Sequence, residues 1–75
     1  MSEYLIAKGV IHSFINKKKV FKMSELKKSI IGHGGIMRIA PCFTITDYLR
    51  EFEKDGKIIM REAEDDYTIT VIDSD

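Results

Sequence analysis

Three side chains carry the donor chemistry of a transition-metal ligand: His12, His33 and Cys42. A tetrahedral zinc site needs thiolate and imidazole donors at short, fixed spacings, and no two of these three stand at one. His12 falls in a helical stretch, His33 in a glycine run and Cys42 beside the only proline, so three separate segments would have to converge. The reading is therefore no metal and no cofactor. Cys42 as a nucleophile would need a neighbouring base to generate thiolate. None is identifiable, and it reads as a packing residue at a helix start. The run Gly32-His33-Gly34-Gly35 is too short for a phosphate-cradling loop and does not sit between a strand and a helix in the required way. It reads better as a helix stop. With no acid–base pair, metal set or activated nucleophile, the chain is not expected to be an enzyme.

Composition bounds the alternatives. Seventy-five residues, 44% hydrophobic and 32% charged, suit one small folded domain over residues 1–75 rather than a disordered chain. A domain of this size buries only about 60% of its unfolded surface, so its core must be efficient or shared with a partner. The longest apolar runs fall far short of a membrane span, and the N-terminus lacks a basic stretch followed by an apolar one. A cytoplasmic location is expected, and a single cysteine suits a reducing compartment. Twelve isoleucines against three leucines, one asparagine and no glutamine fit a hot-living source or an AT-rich genome.

Net charge is zero, but the charges are sorted. Residues 1–43 carry eight basic and two acidic side chains, and residues 44–75 carry four basic and ten acidic, which makes plus six against minus six. Such a dipole can steer an anionic partner to one face or drive head-to-tail association of two copies.

The elements that must position these charges follow from periodicity. Ser2 is placed to cap a first helix, with Glu3 in its first turn. Tyr4, Ala7, Ile11, Phe14 and Ile15 recur at helical spacing, and Leu5, Ile6 and Val10 widen the stripe beyond what a small core requires. That width points to a homodimer through the first helix. Lys17, Lys18 and Lys19 complement its C-terminal dipole. Residues 20–23 read as a brief extended segment able to pair with a terminal hairpin as a third strand. Ser24 is the expected cap of a short second helix with Leu26, Ile30 and Ile31 inward, stopped by the glycines. The connection up to Ala40 is either a flexible loop or a short extra element. A third helix is expected over about 41–54. Pro41 is favoured as its first turn, and Thr44 with Asp47 is a competing capping box. Its apolar stripe is Ile45, Tyr48, Leu49 and Phe52, with the two aromatics read as core. Asp55 and Gly56 end it. Lys57 to Glu62 and Tyr67 to Ile72 then alternate as a hairpin closed by residues 63–66.

The stretch from Ala40-Pro41 through Thr44-Ile45-Thr46-Asp47-Tyr48-Leu49-Arg50-Glu51-Phe52-Glu53-Lys54-Asp55-Gly56-Lys57-Ile58 resembles the recognition helix and first wing strand of winged-helix DNA-binding proteins. The small size and isoleucine richness are similar to compact transcription regulators of archaea and their viruses. The resemblance implies an α+β fold, a winged helix-turn-helix with three helices, a C-terminal β-hairpin wing and a short third strand. It also implies sequence-specific binding of double-stranded DNA and transcription regulation, with the third helix in the major groove. Carried over position by position, Thr44, Thr46, Asp47 and Arg50 are the candidates for reading bases, and Arg50 is the strongest because a guanidinium can bond guanine bidentately. Lys27, Lys28 and Arg38 would sit on phosphates, and Lys57 and Arg61 would support the wing. One feature departs from the pattern. Glu62, Glu64, Asp65 and Asp66 cluster at the hairpin turn, where phosphates would repel them, so the hairpin is expected to point away from DNA or toward the basic half of another subunit. The alternative function is a protein interaction module on the same scaffold that does not bind DNA.

Overall fold

Ser2 begins the first element as expected: its Oγ accepts the Tyr4 N–H at 3.2 Å, and helix α1 (Glu3–Lys17) follows. A computed structural model describes residues 2–72 of the chain, so Asp73 and Asp75 of the acidic half lie outside the described residues. Ala7, Val10 and Ile11 of α1 are buried and Phe14 and Ile15 are half-buried, whereas Leu5 is 60% exposed. The wide apolar stripe thus exceeds what the domain covers.

After α1 come strand β1 (Val20–Lys22), helix α2 (Met23–Gly32), strands β2 (Arg38–Ala40) and β3 (Phe43–Thr44), helix α3 (Ile45–Lys54), and strands β4 (Ile58–Ala63) and β5 (Asp66–Val71). This is a small α+β domain with three helices and antiparallel sheets. The main sheet has the order β1-β5-β4. Register places Phe21 opposite Ile69, and Ile69 opposite Met60, in one row across the three strands. All three are buried, as is Ile58, so one sheet face closes over the helices. The alternation in β4 predicted from sequence is visible in its burial, with Ile58 and Met60 in and Ile59 and Arg61 out. The extended segment at residue 20 is indeed a third strand, paired to β5. Leu26 and Ile30 of α2 are buried as expected, but Ile31, about 100° further round the helix, is 64% exposed.

Two helix starts differ from expectation. Helix α2 begins at Met23, with Lys22 as N-cap and Ser24 already inside the first turn. The acceptors come from elsewhere. Asp66 of β5 accepts the Ser24 N–H at 3.3 Å and the Ser24 hydroxyl at 2.8 Å, and Glu25 accepts the Lys22 N–H at 3.4 Å. A tertiary carboxylate at a helix N-terminus satisfies an orphan donor and meets the positive dipole end. Helix α3 begins at Ile45, not at Pro41. Thr44 Oγ1 accepts the Asp47 N–H at 3.1 Å while Asp47 Oδ2 accepts the Thr44 N–H at 3.2 Å, the reciprocal capping box. Pro41 and Cys42 instead form the turn between β2 and β3. The expected loop or extra element before Ala40 is this two-stranded ribbon, tied to α3 by the Ile45 N–H donating to the Met37 carbonyl at 3.2 Å. Cys42 is exposed in that turn rather than packed.

The two helix ends agree with expectation. Gly34 (φ 86°) donates to the Ile31 carbonyl and Gly35 to the Ile30 carbonyl, and Gly56 (φ 74°) and Lys57 donate to the Glu53 and Phe52 carbonyls. Both are Schellman closures, whose left-handed residue glycine adopts without steric cost. Among the described residues no helix is long and apolar enough to cross a membrane.

Asp66 carries a pH dependence. The Ser24 hydroxyl hydrogen bond, assisted by the backbone N–H groups of Tyr67 and Ser24 and by the charge of Lys22, holds its carboxyl below the ordinary aspartate value against a smaller desolvation effect. A carboxyl depressed on folding stabilises the fold fully above its unfolded pKa, about 3.9, and that contribution disappears as pH falls through the folded value. Stability measured by urea melts from neutral to acid pH should therefore fall less steeply below about pH 4 in Asp66→Asn than in the parent chain. Identical pH profiles would show that the cap does not couple to folding.

Candidate functional site

Helix α3 buries Ile45 and Leu49, half-buries Tyr48 and Phe52, and turns Asp47, Arg50, Glu51 and Lys54 to solvent, with Thr46 half-covered. The aromatics sit on an apolar bed as expected, but at its rim. Tyr48 and Phe52 meet edge to face at 5.1 Å, and His12 of α1 lies 5.9 Å from the Tyr48 ring and 5.8 Å from the Phe52 ring. The His12 Nε2 and the Tyr48 hydroxyl are 2.7 Å apart in a hydrogen bond, and partial burial raises the Tyr48 phenol above its ordinary pKa. The sequence offers no signal for this α1–α3 pair, which is 36 residues apart.

The base-reading candidates lie together on or beside the first two turns of α3, but their polar groups are partly engaged. Thr44 and Asp47 bond each other in the capping box. Arg50 Nη1 donates to Glu53 Oε1 at 2.9 Å, and its guanidinium lies 5.5 Å from the Tyr67 ring centre. The hydrogen bond to Glu53 is the main reason that Arg50 holds its proton even more firmly than a free guanidinium. Glu53 also accepts the Met60 N–H at 3.4 Å, so Arg50, Glu53 and β4 form one connected group. Thr46 is the one candidate with no hydrogen bond from its side chain among the described residues.

The phosphate candidates are spread more widely. Lys27 and Lys28 are exposed on α2. Arg38 on β2 donates to the Pro41 carbonyl at 3.1 Å, which braces the ribbon turn. Arg61 shares the outward row of the sheet with Thr68 and Lys22, and Lys57 lies 5.9 Å over the Phe52 ring. On α3 itself three carboxylates, Asp47, Glu51 and Glu53, face two cations, Arg50 and Lys54. Its net charge is slightly negative.

The acidic hairpin turn has an unusual backbone. Ala63 pairs with Asp66, and both central residues, Glu64 (φ 49°) and Asp65 (φ 66°), are left-handed. A two-residue turn of this kind normally takes Asn-Gly, because non-glycine residues pay about 1–2 kcal/mol each for that conformation. Glu62, Glu64 and Asp65 are all exposed, whereas Asp66 turns back to cap α2.

The three metal-type donors stay apart. His12 bonds Tyr48, the His33 Nδ1–H donates to the Ser29 carbonyl at 2.7 Å, and Cys42 lies in the ribbon turn. No group of three His, Cys, Asp or Glu side chains able to hold a metal forms among the described residues. Compared with protein-family models, with curated proteins and with solved structures, the chain gives no match.

Proposed function

We propose that the chain is a winged-helix protein that binds double-stranded DNA in a sequence-specific manner and regulates transcription, with α3 as the recognition helix. The observation that carries the reading is the exposed outer face of α3, rigidly capped by Thr44 and Asp47 and framed by the β4–β5 hairpin as a wing. A capped helix braced on a three-stranded sheet is the geometry that enters a major groove, about 12 Å wide. Thr46 and Arg50 face the base edges in this reading. Lys27, Lys28 and Arg38 contribute phosphate contacts, and Lys57 and Arg61 support the wing. A gel-shift series with random and native upstream duplexes tests it. Log affinity should fall linearly with log salt, at a slope of about −0.9 per phosphate contacted. Absence of binding to any duplex at low salt, by a folded protein, would refute it.

A second reading, a protein interaction module without DNA, is favoured by one observation: the guanidinium best suited to read guanine is already paired to Glu53 and lies against Tyr67. Recovery of a stoichiometric protein partner with no DNA affinity would select it.

The homodimer through α1 is part of the proposal. Leu5, Ile6, Gly9, Val10 and Phe14 line an open groove of about 460 Å³ between α1 and α2. Burying the exposed 60% of Leu5 against a second copy would return about 1–2 kcal/mol per subunit. Leu5→Glu is expected to convert a dimer into a monomer in sedimentation equilibrium while leaving the thermal transition cooperative. Parent and variant at the same mass would contradict it.

A further inference from the structure

Lys17, Lys18 and Lys19, at the end of α1, line a cleft of about 390 Å³ together with Lys57 from the α3–β4 junction. These segments are distant in sequence and are joined by the end of β5: the Val71 N–H donates to the Lys19 carbonyl at 2.7 Å and the Ile72 N–H to the Lys57 carbonyl at 2.9 Å. Among the described residues no carboxylate lines the cleft. Among the described residues only Lys18 has an acidic partner, Glu25 at 3.7 Å, across a largely exposed gap.

Helix dipoles do not account for the cluster. Two helix C-termini, those of α1 and α3, adjoin it, and each brings about half a negative charge. Among the described residues, four lysines less the Glu25 carboxylate and two half-charges leave a local excess of roughly two positive charges. The cleft is also set apart from the first-turn base candidates Thr44, Thr46 and Asp47, whereas Arg50 stands about one turn from the helix end. The cleft lies at the far end of β4 from the acidic turn, about 20 Å along a six-residue strand. It lies at the C-terminal end of α3, about 15 Å along a ten-residue helix from Thr44.

We propose that this cleft is a second seat for the phosphate backbone of nucleic acid, separate from the α3 face. Four ammonium groups spread across one cleft suit a partner with several regularly spaced charges, which a duplex backbone presents about every 3.4 Å per strand, and lysine serves phosphate as a flexible point charge. The seat rests on the chain being a nucleic-acid-binding protein, but not on insertion of α3. It adds affinity without sequence information.

The test compares the parent chain with the triple variant Lys17→Gln, Lys18→Gln, Lys19→Gln, which leaves Lys57 of the wing untouched. Anisotropy of labelled random-sequence duplex is followed as a function of salt, with thermal melts confirming that both proteins are folded. Loss of three phosphate contacts should reduce the magnitude of the log–log salt slope by about 2 to 3. An unchanged slope, with sequence preference intact, overturns the seat and leaves the α3 reading standing. A reduced slope, with no preference among duplexes in parent or variant, supports the seat and sinks the α3 reading. If the substitutions abolish a salt-dependent self-association and leave duplex binding unaltered, the cleft receives the acidic turn of a second copy and the proposal is overturned.

Discussion

Replacing Phe21 by alanine should destabilise the domain by about 3–5 kcal/mol. The side chain is 2% exposed and meets Phe14 edge to face at 5.1 Å, and it sits opposite Ile69 in the central row of the sheet. It is the only buried residue of a three-residue strand. Its removal therefore takes away both a large apolar area and the anchor that holds β1 on β5. A domain of this length has about 4–11 kcal/mol of stability in all, so the loss is a large fraction of it. Urea unfolding should show a much lower midpoint with little change in slope. Phe21→Leu, which keeps most of the volume, should cost under about 1.5 kcal/mol. A loss below about 1 kcal/mol for the alanine variant would show that β1 is not coupled to the core.

The second large effect is on Arg50, which is expected to contribute about 1–3 kcal/mol of base discrimination, a factor of roughly 5 to 150 in affinity. Arg50→Ala should weaken the preferred duplex by that factor and a random duplex by much less. The Glu53 partner sharpens the test. The pair is half-exposed and worth little to stability, so breaking it should leave the fold intact. Glu53→Gln removes a negative charge from α3 and loosens the 2.9 Å contact, since a neutral amide oxygen accepts more weakly than a carboxylate, and duplex binding should tighten. If neither substitution alters binding, Arg50 is a brace between α3 and Tyr67, and base reading has to come from elsewhere on the helix. Equal losses of preferred and random duplex for Arg50→Ala would make it a phosphate contact.

The strongly periodic parts of this domain were legible from the chain. The hairpin alternation, the first helix with its Ser2 cap and the glycine closures at Gly34 and Gly56 each follow from local stereochemistry, and each is found. The boundaries that differed were decided by competition between local rules or by distant groups. Pro41 is suited to a helix start, but Thr44 and Asp47 satisfy two orphan donors reciprocally, and the residues before them are taken by the ribbon. Ser24 looks like a cap, yet Asp66, 42 positions away, caps that helix and draws Ser24 inside it. Strands of two and three residues, such as β3 and β2, are too short to carry a period. The positions of the candidate site on α3 could be read directly. Their engagement was only partly readable: Glu53 stands three residues from Arg50 on the same helix, whereas Tyr67 and the His12–Tyr48 pair meet only in the folded chain. The lysine cleft was half visible as the run of residues 17–19, and only the fold adds Lys57 to it.

The central claim is that the exposed face of α3 meets duplex DNA, and amide chemical shifts of isotope-labelled protein test it most directly. On titration with a duplex selected from a random pool, the expected result is perturbation concentrated on Thr46, Asp47, Arg50 and their neighbours on α3. Saturable binding that leaves those amides unmoved, or no binding at all, would contradict it.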